Sequence, residues 1–566
     1  MNFKTRPTLS FATGALLFSL SAFGQIARIQ VVHNAPTAPA VDVFVGSTKL
    51  ISNLEFREAF GYANAPANTE LQVRIKPASA SNDTSNPVFF RRYTLAENQA
   101  YVLIANGLLA TNGYAANPEG RNRTFDVKVI PGKETSSATT VDFAVFHGAT
   151  DVPKVDAKVQ GSTATLVDDI GFGEGSGYLT SLPANVTAQI FDSTGTVPLL
   201  AYSAPLSGFA GKALLLVASG FLSPAANQNG PGFELMAVTN TGETILLPQA
   251  TARVQVVHNC PVAPPVDIYV GNQKAVAGLE FRKATPYVDL PAGVNIQVRI
   301  GVASATSDTS TKVFLANYNL DGGQTYSLVA NGLLSQTGYA PNPDGFNTGF
   351  DVTVLAPTRE ISSTSATDNN VEFSVFHGVT DAPTVDVRLA GTQTVLVNNA
   401  GFRAFSGYVS VPAANYNIDV TTADGSVIVA TYLAPLTTYA DSAINVMASG
   451  FLSSTNNSNG PAFALIAVTP KGNVITLPVV TSVSNAQNGR VQAYPNPASS
   501  GYFKLESETP VKTALAIAAD GRLFNLSGET EGNATRFKST DLAAGLYHIV
   551  VELQDGSTFK TKLSIQ

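Results

Sequence analysis

The feature that most constrains this chain is an internal repeat, because one short segment occurs four times. Each copy is an apolar run ending in His, then a loop containing Pro, then a Val-Asp segment. The copies begin at Ala27, Val141, Ala252 and Val371. The first copy is closest to the third and the second to the fourth, so the array has the order A-B-A′-B′. Such a repeat predicts tandem copies of one structural unit.

Apolar residues alternate with other residues at a period of two within the copies. In the fourth copy Val371, Phe373, Val375 and His377 share one predicted face, and Glu372 lies on the other. This alternation indicates strands, and the array has no sustained helical period. Short strands separated by turns at this spacing predict an all-β fold of tandem immunoglobulin-like β-sandwich domains, followed by a small C-terminal β-sandwich.

The length of the chain requires several domains, because 566 residues exceed what one hydrophobic core organises. We predict a signal peptide at 1–24, sandwich modules at 25–134, 135–250, 251–362 and 363–480, a linker at 481–488 and a C-terminal domain at 489–566.

The first residues are typical of a secretory signal. Lys4 and Arg6 precede the apolar stretch from Leu9 to Ala22, and small residues precede Gln25. The stretch is too short to span a bilayer comfortably, and no later segment is long and apolar enough to do so. We therefore expect an exported chain without a transmembrane helix.

Charge and cysteine content exclude two kinds of site. The formal net charge is −7 and no basic run is present, so we expect no nucleic-acid partner. Cys260 is the single cysteine, which excludes an intrachain disulfide and a cysteine-based metal site.

The repeated signature, Val-x-His-Asn/Gly followed by Pro-x-Val-Asp, resembles the bacterial secreted domain of unknown function 4397. The resemblance extends from Ala27 to about Pro478 as four copies. It implies a fold and export, and it brings no established activity with it.

The C-terminal residues, 489–566, resemble a different family, the type A C-terminal sorting domain of the type IX secretion system in Bacteroidetes. The matching residues are Tyr494, Pro495, Asn496, Pro497, Gly545, Leu546 and Tyr547, with a final basic and apolar strand. The resemblance implies passage across the outer membrane through the type IX machinery and removal of the tail. It also implies, in many cases, attachment to surface lipopolysaccharide, so we expect a cell-surface or extracellular location.

Four of the five histidines occupy one position of the repeat, and an Asp follows each of them at the same spacing. The pairs are His33 with Asp42, His147 with Asp156, His258 with Asp267, and His377 with Asp386. One interpretation is a site for a metal or for acid–base chemistry. The other is structural, with the ring bonded to backbone and the Asp holding the Pro-rich loop. The apolar face that carries the histidines favours the structural interpretation.

Signals for a cofactor or a catalytic site are weak. Asp151 and Asp381 occur only in the second and fourth copies and give a weak indication of calcium. No Gly-x-Ser-x-Gly, His-Glu-x-x-His or phosphate-binding motif is present, so we expect no enzyme and no other cofactor. A pair of carboxylates from distant strands would still allow a glycoside hydrolase.

Four long loops are the best candidates for ligand binding, because loops at one end of a sandwich often bind ligands. They are residues 109–123, 222–232, 334–348 and 452–461, and the candidate binding residues within them are Tyr114, Asn117, Tyr339, Asn342 and Phe346. The alternative is that Asn, Gly and Pro in these loops only turn the chain.

These observations favour a non-catalytic repeat protein of the cell surface, acting in adhesion, matrix building or weak multivalent binding. Glycans or other surface proteins are the candidate partners. A surface hydrolase acting on polysaccharide or peptide, and a passive spacer, are the alternatives.

Overall fold

The computed structural model describes residues 25–566 except 80, 82, 305–311, 363–368, 481–490, 500, 508, 519–522, 533, 541 and 555–557. The predicted signal peptide and linker therefore lie outside the described residues. The chain divides into two compact units. The larger unit comprises residues up to Pro383 with Phe402–Val411 and Asp441–Ile475, and the smaller comprises Thr384–Gly401, Pro412–Ala440 and Thr476–Gln566.

The regular elements of the described residues are strands, apart from three short 3-10 helices. These helices are Leu206–Phe209, Pro224–Ala226 and Ser454–Asn456. The predicted all-β fold with tandem sandwich domains is confirmed, as the period-two alternation required.

Module 1 consists of two four-stranded sheets. Its strands are β1 (Ile26–Asn34), β2 (Val41–Val45), β3 (Thr48–Leu54), β4 (Ala59–Pro66), β5 (Glu70–Pro77), β6 (Phe89–Thr94), β7 (Ala100–Asn106) and β8 (Asp126–Pro131). The first sheet has the order β4-β1-β7-β8 and the second β3-β2-β5-β6. Ile29 and Leu103 of the first sheet share one buried apolar core with Val43 and Val73 of the second.

A parallel pair lies at the centre of the first sheet. β1 runs parallel to β7 from Arg28 opposite Ala100 to Asn34 opposite Asn106, and β4 pairs antiparallel on the other side of β1. Because paired parallel strands end at the same edge, His33 and Asn34 finish beside Asn106. The alternation of apolar residues did not predict this parallel pairing.

Module 2 repeats this plan with an extra strand. Its strands are β9 (Val141–His147), β10 (Val155–Val159), β11 (Thr165–Ile170), β12 (Leu179–Ser181), β13 (Asn185–Asp192), β14 (Pro198–Pro205), β15 (Ala213–Ser219), β16 (Glu234–Thr239) and β17 (Thr244–Leu246). The first sheet has the order β12-β9-β15-β16-β17 and the second β11-β10-β13-β14.

Module 3 follows module 1 closely. Its strands are β18 (Thr251–Asn259), β19 (Val266–Val270), β20 (Gln273–Leu279), β21 (Lys283–Ala284), β22 (Val288–Pro291), β23 (Asn295–Val302), β24 (Phe314–Asn319), β25 (Thr325–Asn331) and β26 (Asp351–Leu355). Its first sheet contains β21, β18, β25 and β26, with β22 also paired to β18, and its second has the order β20-β19-β23-β24.

The fourth copy contributes one sheet to each unit. Its strands are β27 (Asn370–His377), β28 (Val385–Leu389), β29 (Val395–Ala400), β30 (Val409–Pro412), β31 (Asn415–Thr422), β32 (Ile428–Pro435), β33 (Ala443–Ser449), β34 (Ala464–Val468) and β35 (Val474–Thr476). The sheet β30-β27-β33-β34-β35 lies in the larger unit, and β29-β28-β31-β32 lies in the smaller. The central pairs of modules 2, 3 and 4, β9 with β15, β18 with β25 and β27 with β33, are again parallel.

The C-terminal residues form two further antiparallel sheets around their own core. Their strands are β36 (Val491–Tyr494), β37 (Tyr502–Ser507), β38 (Val511–Ala518), β39 (Leu523–Leu526), β40 (Gly528–Glu531), β41 (Ala534–Lys538), β42 (Gly545–Leu553) and β43 (Thr558–Ile565). The sheet orders are β36-β37-β41-β40 and β39-β38-β42-β43, with Phe503, Phe537, Ile549 and Leu563 in the shared core.

The first sheets of modules 1 and 2 face each other across an apolar layer, which we call the seam. Val32 and Ile104 of module 1 share this buried cluster with Phe146, Val217 and Met236 of module 2. The neighbouring residue Val31 points to the other side of β1, into the core of module 1. The first sheet is therefore buried on both faces.

The same seam recurs further along the chain. Val257 and Val329 of module 3 share a buried cluster with Phe376, Met447 and Ile466 of the fourth copy. The A-B-A′-B′ order of the sequence therefore corresponds to two A–B pairs, each closed by its own apolar layer.

Modules 2 and 3 meet through a different joint, in which Ala201 packs into the core of module 3 and polar side chains bond around it. The Gln160 side chain donates to the Asp321 carboxylate at 2.9 Å and accepts from the Gly322 N–H at 2.9 Å. The Gln189 side chain donates to the Gly293 carbonyl at 2.6 Å. This joint fixes the end of one pair against the start of the next.

Two glycines allow that approach. A Cβ at Gly293 would lie 2.7 Å from the Ala201 methyl carbon, and one at Gly322 would overlap the Thr187 hydroxyl. By the repeat, the corresponding residues of module 1 are Asn68 and Glu97, which have side chains. Only the third module has the small residues that this joint requires.

A truncation in the seam tests whether the pair is one cooperative unit. We expect Phe146→Ala, which empties a site with 0% exposure, to cost about 3–5 kcal/mol. Amide hydrogen exchange should then rise in strands of both modules 1 and 2, while modules 3 and 4 keep their protection. Phe376→Ala is the matched variant in the second seam. It should raise hydrogen exchange in modules 3 and 4 and leave modules 1 and 2 protected. A rise confined to the module that carries the substitution would contradict the paired unit.

Candidate functional site: the edge of the seam

The repeated histidines lie where the first strand of each copy ends, and each ring holds the following loop. The Nε2 atoms of His33, His147 and His377 lie 3.1 Å from the carbonyl oxygens of Pro39, Pro153 and Pro383, and the corresponding distance from His258 to Pro264 is 3.3 Å. Since a carbonyl only accepts, Nε2 carries a proton in each of the four rings.

Burial sets the charge state of these rings. It lowers the pKa of His33, His147, His258 and His377 below the ordinary value of 6.5, although the bond to the Pro carbonyl raises it in each case. Each of these rings is therefore neutral, and its bond to the Pro carbonyl connects the end of the strand to the following loop.

The repeated aspartates lie on the second strand of each copy and bond to the adjacent backbone. Asp42 accepts from Lys49 Nζ at 2.7 Å and from the N–H groups of Asn53 and Ser79. Asp267 has the same arrangement with Lys274, Gly278 and Ser304. Burial raises the pKa of Asp42 and Asp267, but these hydrogen bonds outweigh it and lower the pKa of both.

In the B-type copies the aspartates have fewer partners. Asp156 accepts from the Asp169 N–H, and Asp386 accepts from the Asn399 N–H and from Arg388. The hydrogen bonds described for the four copies do not join a His to its Asp. The constant spacing in the sequence suggested a His–Asp pair, but in the fold the two residues lie on separate strands and bond to different groups.

The Asn or Gly that follows the repeated His lies at the edge of each seam, where the central parallel strands end. Asn34 Nδ2 donates to Asn106 Oδ1 at 3.0 Å and approaches the Gly148 carbonyl at 3.4 Å. A Cβ on Gly148 would overlap the Asn34 amide, and one on Gly378 would overlap Asn259 in the second pair. In each pair a copy with Asn after the His faces a copy with Gly after the His. The Gly is needed because the Asn amide occupies the space that a Cβ would fill.

Arginines reach across the seam from each side. Arg57 donates to the Ser219 hydroxyl at 3.0 Å and to the Gly232 carbonyl at 2.5 Å. Arg282 makes the corresponding bonds to Ser449 and Ala462 in the second pair. Both arginines have a positive φ, 67° and 59°, a strained backbone that the surrounding contacts maintain.

The reciprocal arginine differs between the pairs. Arg403 of the fourth copy donates to the Gly349 carbonyl of module 3. Module 2 has Gly173 at the matching position, and there Arg121 of module 1 instead donates to the Phe172 carbonyl at 3.2 Å. At the position of Arg121 module 3 has Phe346. Each pair therefore has one further arginine across the seam. In the first pair it comes from module 1, and in the second pair it comes from the fourth copy, so each A module is matched to its own B module.

The predicted ligand-binding residues lie mainly at this edge. Tyr114 stacks on Phe221 of module 2 with ring centroids 5.7 Å apart, and Tyr339 stacks on Phe451 at the same distance. Both pairs of rings therefore join the long loops of neighbouring modules.

The predicted asparagines also contact the neighbouring module. Asn117 donates to the Thr150 carbonyl at 3.0 Å, and Asn342 donates to the Thr380 and Ala382 carbonyls at 3.0 Å. Phe346 alone of the five is substantially exposed, at 45%. Ligand binding by these residues stays a prediction.

Asp151 and Asp381 organise the facing loops. Asp151 accepts from the N–H groups of Leu222 and Ser223 and from the Asn227 amide, all between 2.8 and 3.0 Å. Asp381 is bonded in the same way to the loop of the fourth copy. These bonds use most of the acceptor sites of each carboxylate. The calcium indication stays a prediction.

Clusters typical of metal centres are missing from the described part of the chain, where no three His, Cys, Asp or Glu side chains are placed to hold an ion. Nor does any helix among the described residues have the length and hydropathy to cross a membrane.

The residues of the predicted sorting signal come together on the last strand. Asn496 donates to the Lys562 carbonyl at 2.8 Å and accepts from the Ser564 N–H at 2.9 Å, which holds the Tyr494–Pro497 segment against β43. Tyr547 is buried and donates to the Ala543 carbonyl, whereas Leu546 beside it is 52% exposed and Gly545 begins β42. Recognition by the type IX machinery stays a prediction.

Taken together, the fold and this seam define a class of protein, an all-β array of sandwich modules that associate in pairs. The chain belongs to the family described as Domain of unknown function (DUF4397), which matches residues 27–140, 252–347 and 371–491, more than half of its length. The match covers three of the four predicted copies. Most of module 2 lies outside it and shares the sheet plan described above.

No curated protein matches the chain. Among solved structures, the Bacillus anthracis TIE protein is 11% identical with a TM-score of 0.12, over 78% of this chain and 70% of that one. The SGBP-B of the Bacteroides ovatus mixed-linkage glucan utilization locus, in complex with a mixed-linkage heptasaccharide, is 10% identical with a TM-score of 0.12, over 55% and 64%. The Bacillus cereus major pilin subunit BcpA is 12% identical with a TM-score of 0.13, over 55% and 100%. We draw no conclusion about function from likenesses this low.

The neutral histidines predict a dependence of stability on pH. Because their pKa is lower in the folded chain than 6.5, the unfolded chain binds more protons below that value. The free energy of unfolding should therefore fall as the pH drops from about 7 to about 5, before carboxylates with lowered pKa contribute at more acidic pH. Replacing all four by Gln, which keeps a donor to the Pro carbonyl, should flatten this slope.

Thermal unfolding at a series of pH values measures the effect. His548→Gln changes an exposed histidine of the C-terminal domain and is the control that should leave the slope as it is. An equal slope in the fourfold variant and the parent would show that burial of these rings does not govern the pH response.

Proposed function

We propose that this chain is a non-catalytic repeat protein of the cell surface, acting in adhesion, matrix building or weak multivalent binding. The observation that supports it most directly is the use of the repeated polar residues. The histidines bond to Pro carbonyls, the aspartates to backbone N–H groups, and Asn34 and Asn259 to carbonyls of the facing module. Acid–base catalysis needs a group within reach of the substrate, and these groups are buried and bonded.

The presence of two module pairs in one chain also supports a binding or structural role. The two A–B pairs repeat one sheet plan within a single chain. A weak contact made by one pair is multiplied when a second pair on the same chain contacts the same surface, because the second event occurs at high effective concentration. A polymeric surface or matrix offers such repeated contacts.

The proposed route to the surface rests on the two ends of the chain. The N-terminal residues have the pattern of a secretory signal, and the C-terminal residues have the pattern of a type IX sorting domain. The contacts of Asn496 with β43 support the view that the sorting residues belong to one folded domain. The proposed partners are therefore the type IX machinery and, after sorting, surface lipopolysaccharide.

Truncation tests the export route. In a host with type IX secretion, the full chain should reach the surface, and a variant lacking residues 489–566 should be retained inside the outer membrane. Protease digestion of intact cells followed by blotting distinguishes the two locations. Glu506→Gln, a change at an exposed residue of the same domain, is the control and should still be exported. Surface exposure of the truncated chain would refute this route.

The non-catalytic role predicts no turnover. Purified protein incubated with panels of polysaccharides and peptides should release no product, as measured by reducing ends and by mass spectrometry. Turnover that a single Asp or Glu substitution abolishes would establish the surface hydrolase instead. A protein without turnover that also adheres to surfaces no better than an unrelated sandwich would establish the passive spacer.

A further inference from the structure

The outer face of the second sheet of module 1 carries a row of alternating cations and aromatic rings. Lys49, Phe44, Arg74 and Phe90 stand side by side on β3, β2, β5 and β6, because each pair of neighbours is directly opposite in the register. Lys49 Nζ lies 5.5 Å from the Phe44 ring centroid, and Arg74 Cζ lies 4.7 Å from that of Phe90. We call this row the cation–aromatic ladder.

The ladder is closed at one end and open at the other. Phe44 is 1% exposed, whereas Phe90, on the edge strand β6, is 44% exposed. Arg92, the next outward residue of β6, has its Cζ 5.8 Å from the same Phe90 ring. An accessible aromatic ring therefore lies between two guanidinium groups, on a strand that has sheet on one side only.

The charges of the ladder differ in how they are neutralised. Lys49 pairs with the buried Asp42 at 2.7 Å, so its charge is used within the fold. Arg92 pairs with Glu70, but both side chains are about half exposed, and such surface pairs contribute little. Arg74 donates to two neutral groups, the Gly46 carbonyl at 2.7 Å and the Gln72 amide oxygen at 2.8 Å. Arg74 and Arg92 are thus the cations available to an anion.

A polar depression adjoins the open end. It has a volume of about 440 Å³, and its polar lining residues are Ser47, Glu70, Gln72, Arg74 and Thr84. The charge of Glu70 is paired with Arg92. Hydroxyl and amide groups here offer hydrogen bonds to a ligand that has its own hydroxyls. Arg74 lines the depression and also stands beside Phe90, so it joins the two surfaces.

We propose that this face binds a carboxylated polysaccharide. A pyranose ring packs its C–H groups against the exposed part of the Phe90 ring, as sugars do on aromatic side chains. Its carboxylate accepts from Arg74 or Arg92, since a guanidinium offers paired donors to a carboxylate. Neighbouring sugar units lie over the polar depression and donate or accept through their hydroxyls.

The combination of groups favours this ligand over other anions. A net charge of −7 gives the chain no general attraction for polyanions, so binding has to come from contacts at the face itself. Phe90 contributes only when the ligand has an apolar ring face, which simple sulfate, phosphate or an acidic peptide backbone does not offer.

Module 3 provides a natural comparison within the same chain. There the corresponding row is Lys274, Tyr269, Arg299 and Leu315, in the same register. Leu315 replaces the exposed Phe90, and Asn317 replaces Arg92. Module 3 therefore keeps the buried part of the ladder but lacks the exposed aromatic ring and the second arginine. The proposed site consequently belongs to module 1.

Binding of the full chain to immobilised polygalacturonate tests the proposal. The same polymer with its carboxylates methyl-esterified is the first control, and dextran sulfate is the second. Phe90→Leu with Arg92→Asn, which installs the residues of module 3, should weaken binding at least tenfold. Leu315→Phe with Asn317→Arg in module 3 should raise the amount bound per chain towards twofold. These changes lie at exposed positions, and unchanged thermal unfolding confirms that the fold is kept.

Loss of binding on esterification, together with loss in the first variant and gain in the second, would support the site. The proposal is overturned if the parent binds polygalacturonate no better than the esterified polymer, or if the module 1 variant binds as the parent does. Equal binding to dextran sulfate that does not depend on Phe90 would show ion exchange alone. The inference rests on the proposed non-catalytic role, but its failure would leave export and absence of turnover unaffected.

Discussion

Burial of the first sheet on both faces is the constraint on which the rest of the array depends. One face of β1 and β7 closes the core of its own module, and the other face needs a second apolar surface. The facing module supplies that surface, so neither partner covers its central strands alone. The A–B pair is consequently the smallest unit that buries its apolar residues, and the duplication that produced A′–B′ copied a whole pair.

The polar edge of the seam follows from that apolar layer. Once the two sheets face each other, the ends of their parallel strands meet, and buried backbone groups there need partners. Asn34, Arg57 and Asp151 provide them, and Gly148 leaves room for the Asn34 amide. The repeat signature is in this sense a description of an interface between modules as well as of a strand and loop.

Period-two alternation was sufficient to predict the strands from sequence, because it depends only on which residues face a core, and the internal repeat predicted that the sandwich domains are in tandem. Pairing was not predicted, because alternation does not show what covers the second face of a sheet. A signal was nevertheless present: the runs in β7 and β15 are apolar at nearly every position, as strands buried on both faces are. Tyr114 was assigned to a ligand since an aromatic residue in an Asn- and Gly-rich loop looks exposed, and only the facing Phe221 shows its contact.

The joint between modules 2 and 3 limits how the array is extended. Its two glycines occur at the start of the second pair, and the first pair has Asn68 and Glu97 in their place. A second copy of the chain therefore does not find, at module 1, the surface that module 3 offers to module 2. Close docking of a preceding module onto an A module therefore depends on two residue positions, which are glycines in module 3 and carry side chains in module 1.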